Sequence, residues 1–300
     1  MKKVSLLQPT YLPYPGYFQV MNLVDEFYYM TNVELSRPSF QHRNRLRTPT
    51  TEMSRRDYPC HKCGGTAREQ QDADHGLYSV KHCTGCGNSF GKAPHGWLWL
   101  DVPVVHAHRG TEARLLQYAL IDNAVPWAQR HLTYIGSFYK RSAFYESLYP
   151  ELEEIYTRPH ATLYKLNIEL IDWLRGHLGV KTPAFLETEY PYDVVGNKTQ
   201  RLVNFCDAVG ADCYVEPEGA SFIDEKMFER NGIELRFFHF EPPEYLQLFP
   251  GFVPYMSALD MLFCLGPRAK NKIKAEWYDS EIRENLTPEL DVGRMMLGGR

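Results

Sequence analysis

The sequence predicts an α/β protein: a mixed or parallel sheet core with a helical subdomain and one small inserted module. Three observations carry this. An apolar run, Val4 to Leu7, leads through a proline-punctuated loop into a stretch opened by Pro15-Gly16, where Tyr17, Val20, Met21 and Val24 recur at helical spacing, and a second apolar run, Phe27 to Met30, follows. Strand, loop, helix, strand opens an α/β unit. Residues 111–180 carry a helical apolar period, and from about Thr48 to Pro94 apolar content falls while paired cysteines appear.

The 300 residues, 44% apolar and 14% aromatic, suffice for a large core, as one domain or two. A net charge of −4 gives no global attraction to nucleic acid or anionic membrane. No apolar run approaches a membrane span, and the run after Met1-Lys2-Lys3 is too short for a signal peptide, so the chain is expected to be cytoplasmic.

In open α/β sheets, ligands sit where strands end and loops begin. Gln8, Tyr11 and Tyr17 are placed to meet one. The competing reading is a stiff loop, its prolines lowering the entropy of the unfolded chain, with the tyrosines packed beneath it. Residues 33–46 then bring Arg37, His42, Arg43 and Arg45 among Gln41, Asn44 and Phe40. Planar guanidinium forks suit carboxylate or phosphate, so this segment is either an anion site or a solvated face.

Cys60-x-x-Cys63 and Cys83-x-x-Cys86 are nineteen residues apart, and glycines 64 and 87 follow them. Four thiolates in two such knuckles fit a tetrahedral structural Zn²⁺ with no open coordination position. The inserted module, 56–94, is thus predicted to be a zinc ribbon that takes its stability from the metal. Cys206, Cys213 and Cys264 read as buried thiols.

Trp97 to Val105 reads as a strand, with His106 and His108 beyond it. Four helices are expected next: 111–120, 126–138 with His131 among aromatics, 142–156, and 162–178 closed by Gly179. His131 is either a satisfied semi-buried histidine or a functional one. Ala184 to Glu187 is a strand, and Lys198 and Arg201 fall in the first turns of the following helix. Cations there oppose the helix dipole unless they meet an anion. Strands at 212–215 and 233–240, a helix from Ile223 and an apolar helix around Asp260 complete the core. The domain thus comprises 1–50 and 95–275, with its helical subdomain at about 111–180 and a tail at 276–300.

Several motifs together resemble the WbqC-like family: Q-P-T-Y-L-P-Y-P-G-Y from Gln8, S-F-Q-H-R-N-R-L from Ser39, W-L-D-V-P-V from Trp99, Lys198 with Arg201-Leu202, and S-A-L-D-M-L-F from Ser257. The resemblance covers nearly everything but the ribbon and the tail. It implies a role near surface-polysaccharide or specialised-metabolite gene clusters, and the motif residues Gln8, Tyr11, Asn44, Arg45, His131, Lys198 and Arg201. An acidic pair usual after the second strand is reduced to Glu34, which implies a changed substrate.

The function so implied is a small-molecule biosynthetic enzyme, an acyl- or aminoacyl-type transferase. It would act on an amino sugar or related amine with a phosphorylated or nucleotide-linked substrate or donor, a tRNA or carrier donor included. Arg43, Arg45, Lys198 and Arg201 would hold the anion, Gln8 and Asn44 would orient the reacting group, and His131 or Glu34 would be the general base. The alternative is a non-enzymatic module whose ribbon contacts RNA, tRNA or a partner protein. The acidic balance argues against extended phosphate contact. A nucleotidylyl-transfer reading lacks the paired histidines such enzymes use.

Overall fold

The computed structural model describes residues 1–36, 39–49, 96–105, 114–217 and 223–274, together with the backbone of three strands at 67–71, 79–83 and 89–92. In chain order the elements are β1 (Lys3–Leu7), α1 (Pro15–Leu23), β2 (Glu26–Tyr29), β3 (Arg43–Arg47), β4 (Ala67–Gln71), β5 (Ser79–Cys83), β6 (Ser89–Lys92) and β7 (Trp97–Asp101). There follow α2 (Trp127–Tyr139), α3 (Tyr145–Thr157), α4 (Leu163–Leu178), β8 (Ala184–Leu186), α5 (Lys198–Ala208), β9 (Cys213–Pro217), α6 (Glu225–Arg230), β10 (Glu234–Phe238) and α7 (Ala258–Leu265).

Five strands form one parallel sheet in the order β10-β9-β1-β2-β8. Side chains alternate across it. Val4, Leu6, Tyr28 and Tyr214 pack on Leu202, Val203, Phe205 and Cys206 of α5 and on Phe228 of α6. The opposite face buries Phe27, Tyr29, Cys213 and Val215 in a larger core with Phe18 and Val20 of α1, Leu166 and Leu170 of α4, and Leu259 and Leu262 of α7. Helices therefore cover both faces, which buried parallel strands require. The strand order reverses between β1 and β9, and the carboxyl ends of these two strands border the crevice where open sheets of this kind bind ligands.

The expected helical subdomain is present as α2, α3 and α4, whose apolar faces join the larger core. Gly179 ends α4 at φ 72°, a conformation that favours glycine, and the Val180 amide returns to the Arg175 carbonyl. The expected helix at 111–120 is corrected. Its described part is a single 3₁₀ turn at Leu116–Tyr118, flanked by bridges from Leu115 to Glu34 and from Leu120 to Thr162. The leucine spacing fits a helix, but the backbone bonds outward: Leu116 and Gln117 donate to the carbonyls of Val33 and Thr31.

β3 and β7 form an antiparallel ribbon, and β4-β5-β6 form a separate antiparallel sheet in the chain between them. Cys60, Cys63 and Cys86, the side chain of Cys83, His106, His108 and the tail lie outside the described residues. Among the described residues no helix is long and apolar enough to cross a membrane.

Candidate active site

The loop that leaves β1 is fixed by its carbonyls. The buried Asn44 amide donates to the Tyr11 and Leu12 carbonyls at 3.1 and 2.7 Å, and Asn167 donates to that of Pro9 at 2.8 Å. The Ala258 amide holds the Pro13 carbonyl. Leu12 takes φ 44°, costly for a side chain with a Cβ, and the two Asn44 bonds offset that cost. Gly16, the second residue of α1, stands where any Cβ would strike the rings of Tyr14 and Phe240. The proline-rich motif thus seats α1 against the end of β1.

Beyond β1 and β9 opens a crevice of about 680 Å³. Gln8, Tyr17, Glu34, Lys198, Arg201 and Glu216 all line it, with Leu7, Met30 and Val33 as apolar wall. Tyr17 is buried, and its hydroxyl donates to the Gln8 carbonyl at 3.2 Å. At the amino end of α5, the Asn197 side chain accepts from the Gln200 amide, and Lys198 is the first helical residue. Arg201 donates from Nη2 to the Asn32 carbonyl at 2.8 Å, while its Nε–H is sealed from solvent without an acceptor.

The Asn32 turn is itself anchored by a residue that the sequence did not single out. Glu187, fully buried at the end of β8, accepts from the Thr31 amide at 2.9 Å, the Asn32 amide at 2.6 Å and the Thr31 hydroxyl. Burial pushes its carboxyl above the usual range, and these donors pull it back.

Glu216 also escaped the sequence reading, which ended the strand at 215. It is the penultimate residue of β9, with 9% of its surface exposed, and accepts from the Tyr214 hydroxyl at 2.9 Å, a hydroxyl that also reaches the Leu6 carbonyl. Burial pushes its carboxyl up to about 7, where a group can both take and return a proton near neutral pH. Glu34 differs: it is exposed at the rim, paired with Arg114 at 3.3 Å.

The other candidates lie elsewhere. His131 is 2% exposed and does not line the crevice. Its Nε2 faces the Asp101 carbonyl at 3.1 Å, which can only accept, so the ring proton is assigned to Nε2 and Nδ1 accepts from Tyr11 at 2.8 Å. The Tyr11 oxygen in turn meets the Tyr156 hydroxyl. Burial pushes the imidazole down to about 3. With both nitrogens engaged, His131, expected as a general base, is a buried hydrogen-bonding link outside the crevice. Tyr11 and Asn44 likewise serve the loop.

Arg43 and Arg45 project from one face of β3. Arg43 lies 4.4 Å from the ring centre of Trp99, and Arg45 lies between Trp97 and Trp99 at 4.5 and 5.2 Å. They belong to a cation–π stack on the β3–β7 ribbon, not to the crevice. Arg47 follows on the same face but is fully buried, donating to Gln247 and to the carbonyls of Thr48, Gly96, Pro250 and Gly251. Gln247 passes this order to Asp260, which also accepts from Tyr139 and Tyr245 at 2.6 Å each. A wider hollow of about 890 Å³ runs along residues 244–252 over this network. The Cys264 thiol at its edge is pushed up to about 12 by burial and cannot serve as a thiolate nucleophile near neutral pH.

The chain is thus a doubly wound α/β protein with two cations and a buried carboxylate at the switch point of its parallel sheet. Residues 8–71 and 89–272 match the WbqC-like protein family, and the chain belongs to it. The match passes over 72–88, which contains the second cysteine pair. The chain is also similar to the uncharacterized protein Rv1507c of Mycobacterium tuberculosis (strain ATCC 25618 / H37Rv), 27% identical over 277 residues, which is 91% of this chain and 98% of that protein. No solved structure matches it.

Proposed function

We propose that the protein is a small-molecule biosynthetic enzyme, an acyl- or aminoacyl-type transferase acting on an amino sugar or related amine. A phosphorylated or nucleotide-linked substrate or donor occupies the crevice beyond β1 and β9. One observation carries this reading: Lys198 and Arg201, at the amino end of α5, line the same crevice as Gln8 and the buried Glu216. Cations at that end of a helix are stabilised by an anion, and the helix dipole attracts the same ligand. Gln8 orients the reacting group. Glu216, with Glu34 at the rim, takes the general-base role, since an attacking amine must lose a proton.

Cys60, Cys63, Cys83 and Cys86 hold a structural Zn²⁺ in this reading. The donor set suits the ion, and β4, between the two cysteine pairs, and β5 and β6, on either side of the second pair in the chain, form one antiparallel sheet, as a ribbon requires. The zinc braces the ribbon and supplies no chemistry. A non-enzymatic module contacting RNA, tRNA or a partner protein is the second reading. The charge-bearing crevice on the opposite side of that choice favours the enzyme.

Mass spectrometry of the protein purified without chelator or added ligand, first native and then after denaturing extraction, tests both parts. One zinc per chain and a retained phosphorylated or nucleotide-linked species are expected, with the small molecule lost in Arg201→Ala. A ligand retained equally by Arg201→Ala contradicts the crevice assignment, and absence of zinc contradicts the ribbon.

A further inference from the structure

The crevice carries opposite charges on separate elements. Lys198 and Arg201 come from α5, which leaves the end of β8. Glu216 comes from the end of β9, on the other side of β1's exit. Among the described residues, the hydrogen-bond donor to Glu216 is Tyr214, and no cation forms an ion pair with it. Arg201 spends Nη2 on the Asn32 carbonyl, which holds the guanidinium at the crevice wall, and its sealed Nε–H is left without an acceptor.

A carboxylate this buried is costly when charged and unpaired. A ligand that brings a cation to it and an anion to the α5 end meets the carboxylate and the helix dipole at once. A simple phosphate ester meets only one.

We propose that the crevice takes a zwitterionic ligand, a primary amine that also carries a phosphoryl group, with its ammonium on Glu216 and its anion at Lys198 and Arg201. This rests on the proposed function and narrows it, since amine and anion belong to one molecule and Glu216 is the residue that selects the amine. Tyr214 is a positioning residue: its hydroxyl spans the Leu6 carbonyl and one Glu216 oxygen and aims the carboxylate. Transfer of one ammonium proton to Glu216 leaves a neutral amine with a free electron pair and a protonated carboxyl. The lining offers such a ligand both kinds of surface, apolar at Leu7, Met30 and Val33 and polar at Gln8, Lys198, Arg201 and Glu216.

The test is calorimetric titration of the full-length protein with three probes: glucosamine 6-phosphate, N-acetylglucosamine 6-phosphate and glucosamine. The wild type is expected to prefer the amino phosphate over its N-acetylated counterpart by about tenfold, the scale of one charge-assisted hydrogen bond. Glucosamine without phosphate is expected to bind far more weakly. Glu216→Gln is expected to bring the two phosphates to within about twofold, while Glu216→Asp keeps part of the preference. Thermal melts confirm that both variants are folded, and the Asp variant decides the matter if the Gln variant is not. Equal binding of the two phosphates by the wild type overturns the inference and leaves the anion site standing. Failure of both phosphates to bind removes the anion site, and the inference with it.

Discussion

The Tyr11 hydroxyl lies 2.8 Å from Nδ1 of His131, and the other ring nitrogen lies 3.1 Å from the Asp101 carbonyl. This joins the β1 loop, α2 and the end of β7 through one neutral imidazole. Burial holds its folded pKa at about 3, below the ordinary histidine value of 6.5. Stability from this group is therefore complete above about 6.5 and is lost as pH falls toward 3. His131→Gln is expected to destabilise the protein at pH 7 by about 1–3 kcal/mol, the cost of a damaged buried hydrogen bond. It should also lose less stability than the wild type between pH 7 and 4. Urea unfolding at the two pH values measures both.

Glu216 has the opposite sign. Burial raises its carboxyl from 4.5 to about 7, so its contribution is most favourable below 4.5 and is lost as pH rises through 7. The groups around it are Tyr14 and Tyr214, with Lys198, Arg201 and Glu34 across the crevice. Glu216→Gln is expected to match the wild type near pH 4.5 and to exceed it at pH 8.5, by at most about 3 kcal/mol. Melting temperatures across that range check it, and a constant difference at all pH values would speak against a buried, titrating carboxyl.

Arg47 is the most committed cation among the described residues, with its guanidinium spread over Gln247, the Thr48 carbonyl just after β3, the Gly96 carbonyl at the β7 entry and the carbonyls of the 249–251 turn. Its removal leaves those acceptors, and the Asp260 carboxylate beyond them, without positive charge. Arg47→Ala is expected to cost about 3–5 kcal/mol. Arg47→Lys is expected to recover less than half of it, because a point charge cannot reach acceptors that a planar fork spans. Chemical denaturation of the two variants gives the comparison.

Arg43 separates the stacked ribbon from the crevice. Its guanidinium rests on Trp99, so Arg43→Ala is expected to cost about 1 kcal/mol of stability. Arg201→Ala instead is expected to weaken phosphate-ester binding by about tenfold or more. Titration of glucosamine 6-phosphate into each variant distinguishes the two roles.

Much of the sheet was legible because its period is local. Val4 and Leu6 alternate with Ser5, and Tyr17, Val20, Met21 and Val24 repeat as a helix, so β1, α1 and β2 follow from neighbours in the chain. Arg43-Asn44-Arg45-Leu46-Arg47 alternates just as strictly, yet it reads as a basic segment, because the tryptophans that receive its arginines stand some fifty residues away on β7. The 115–120 leucines mislead for a related reason: their spacing suits a helix, while their backbone partners sit at 31–35. In the crevice, Gln8, Tyr17, Glu34, Lys198 and Arg201 were visible through motif and helix position. Glu187 and Glu216 were not. Each is a single carboxylate in a polar stretch, and its significance comes from burial by residues distant in sequence, Thr31 and Asn32 for one and Tyr14 and Tyr214 for the other.

Hydrogen exchange read by mass spectrometry, with and without glucosamine 6-phosphate, bears most directly on the placement of the site. Protection is expected in peptides covering 6–10, 30–36 and 196–202, the strand ends and helix start that enclose the crevice. Protection confined to 39–47 and 96–101, or to 244–252, would place the ligand on the cation–π ribbon or in the other hollow and contradict the switch-point site.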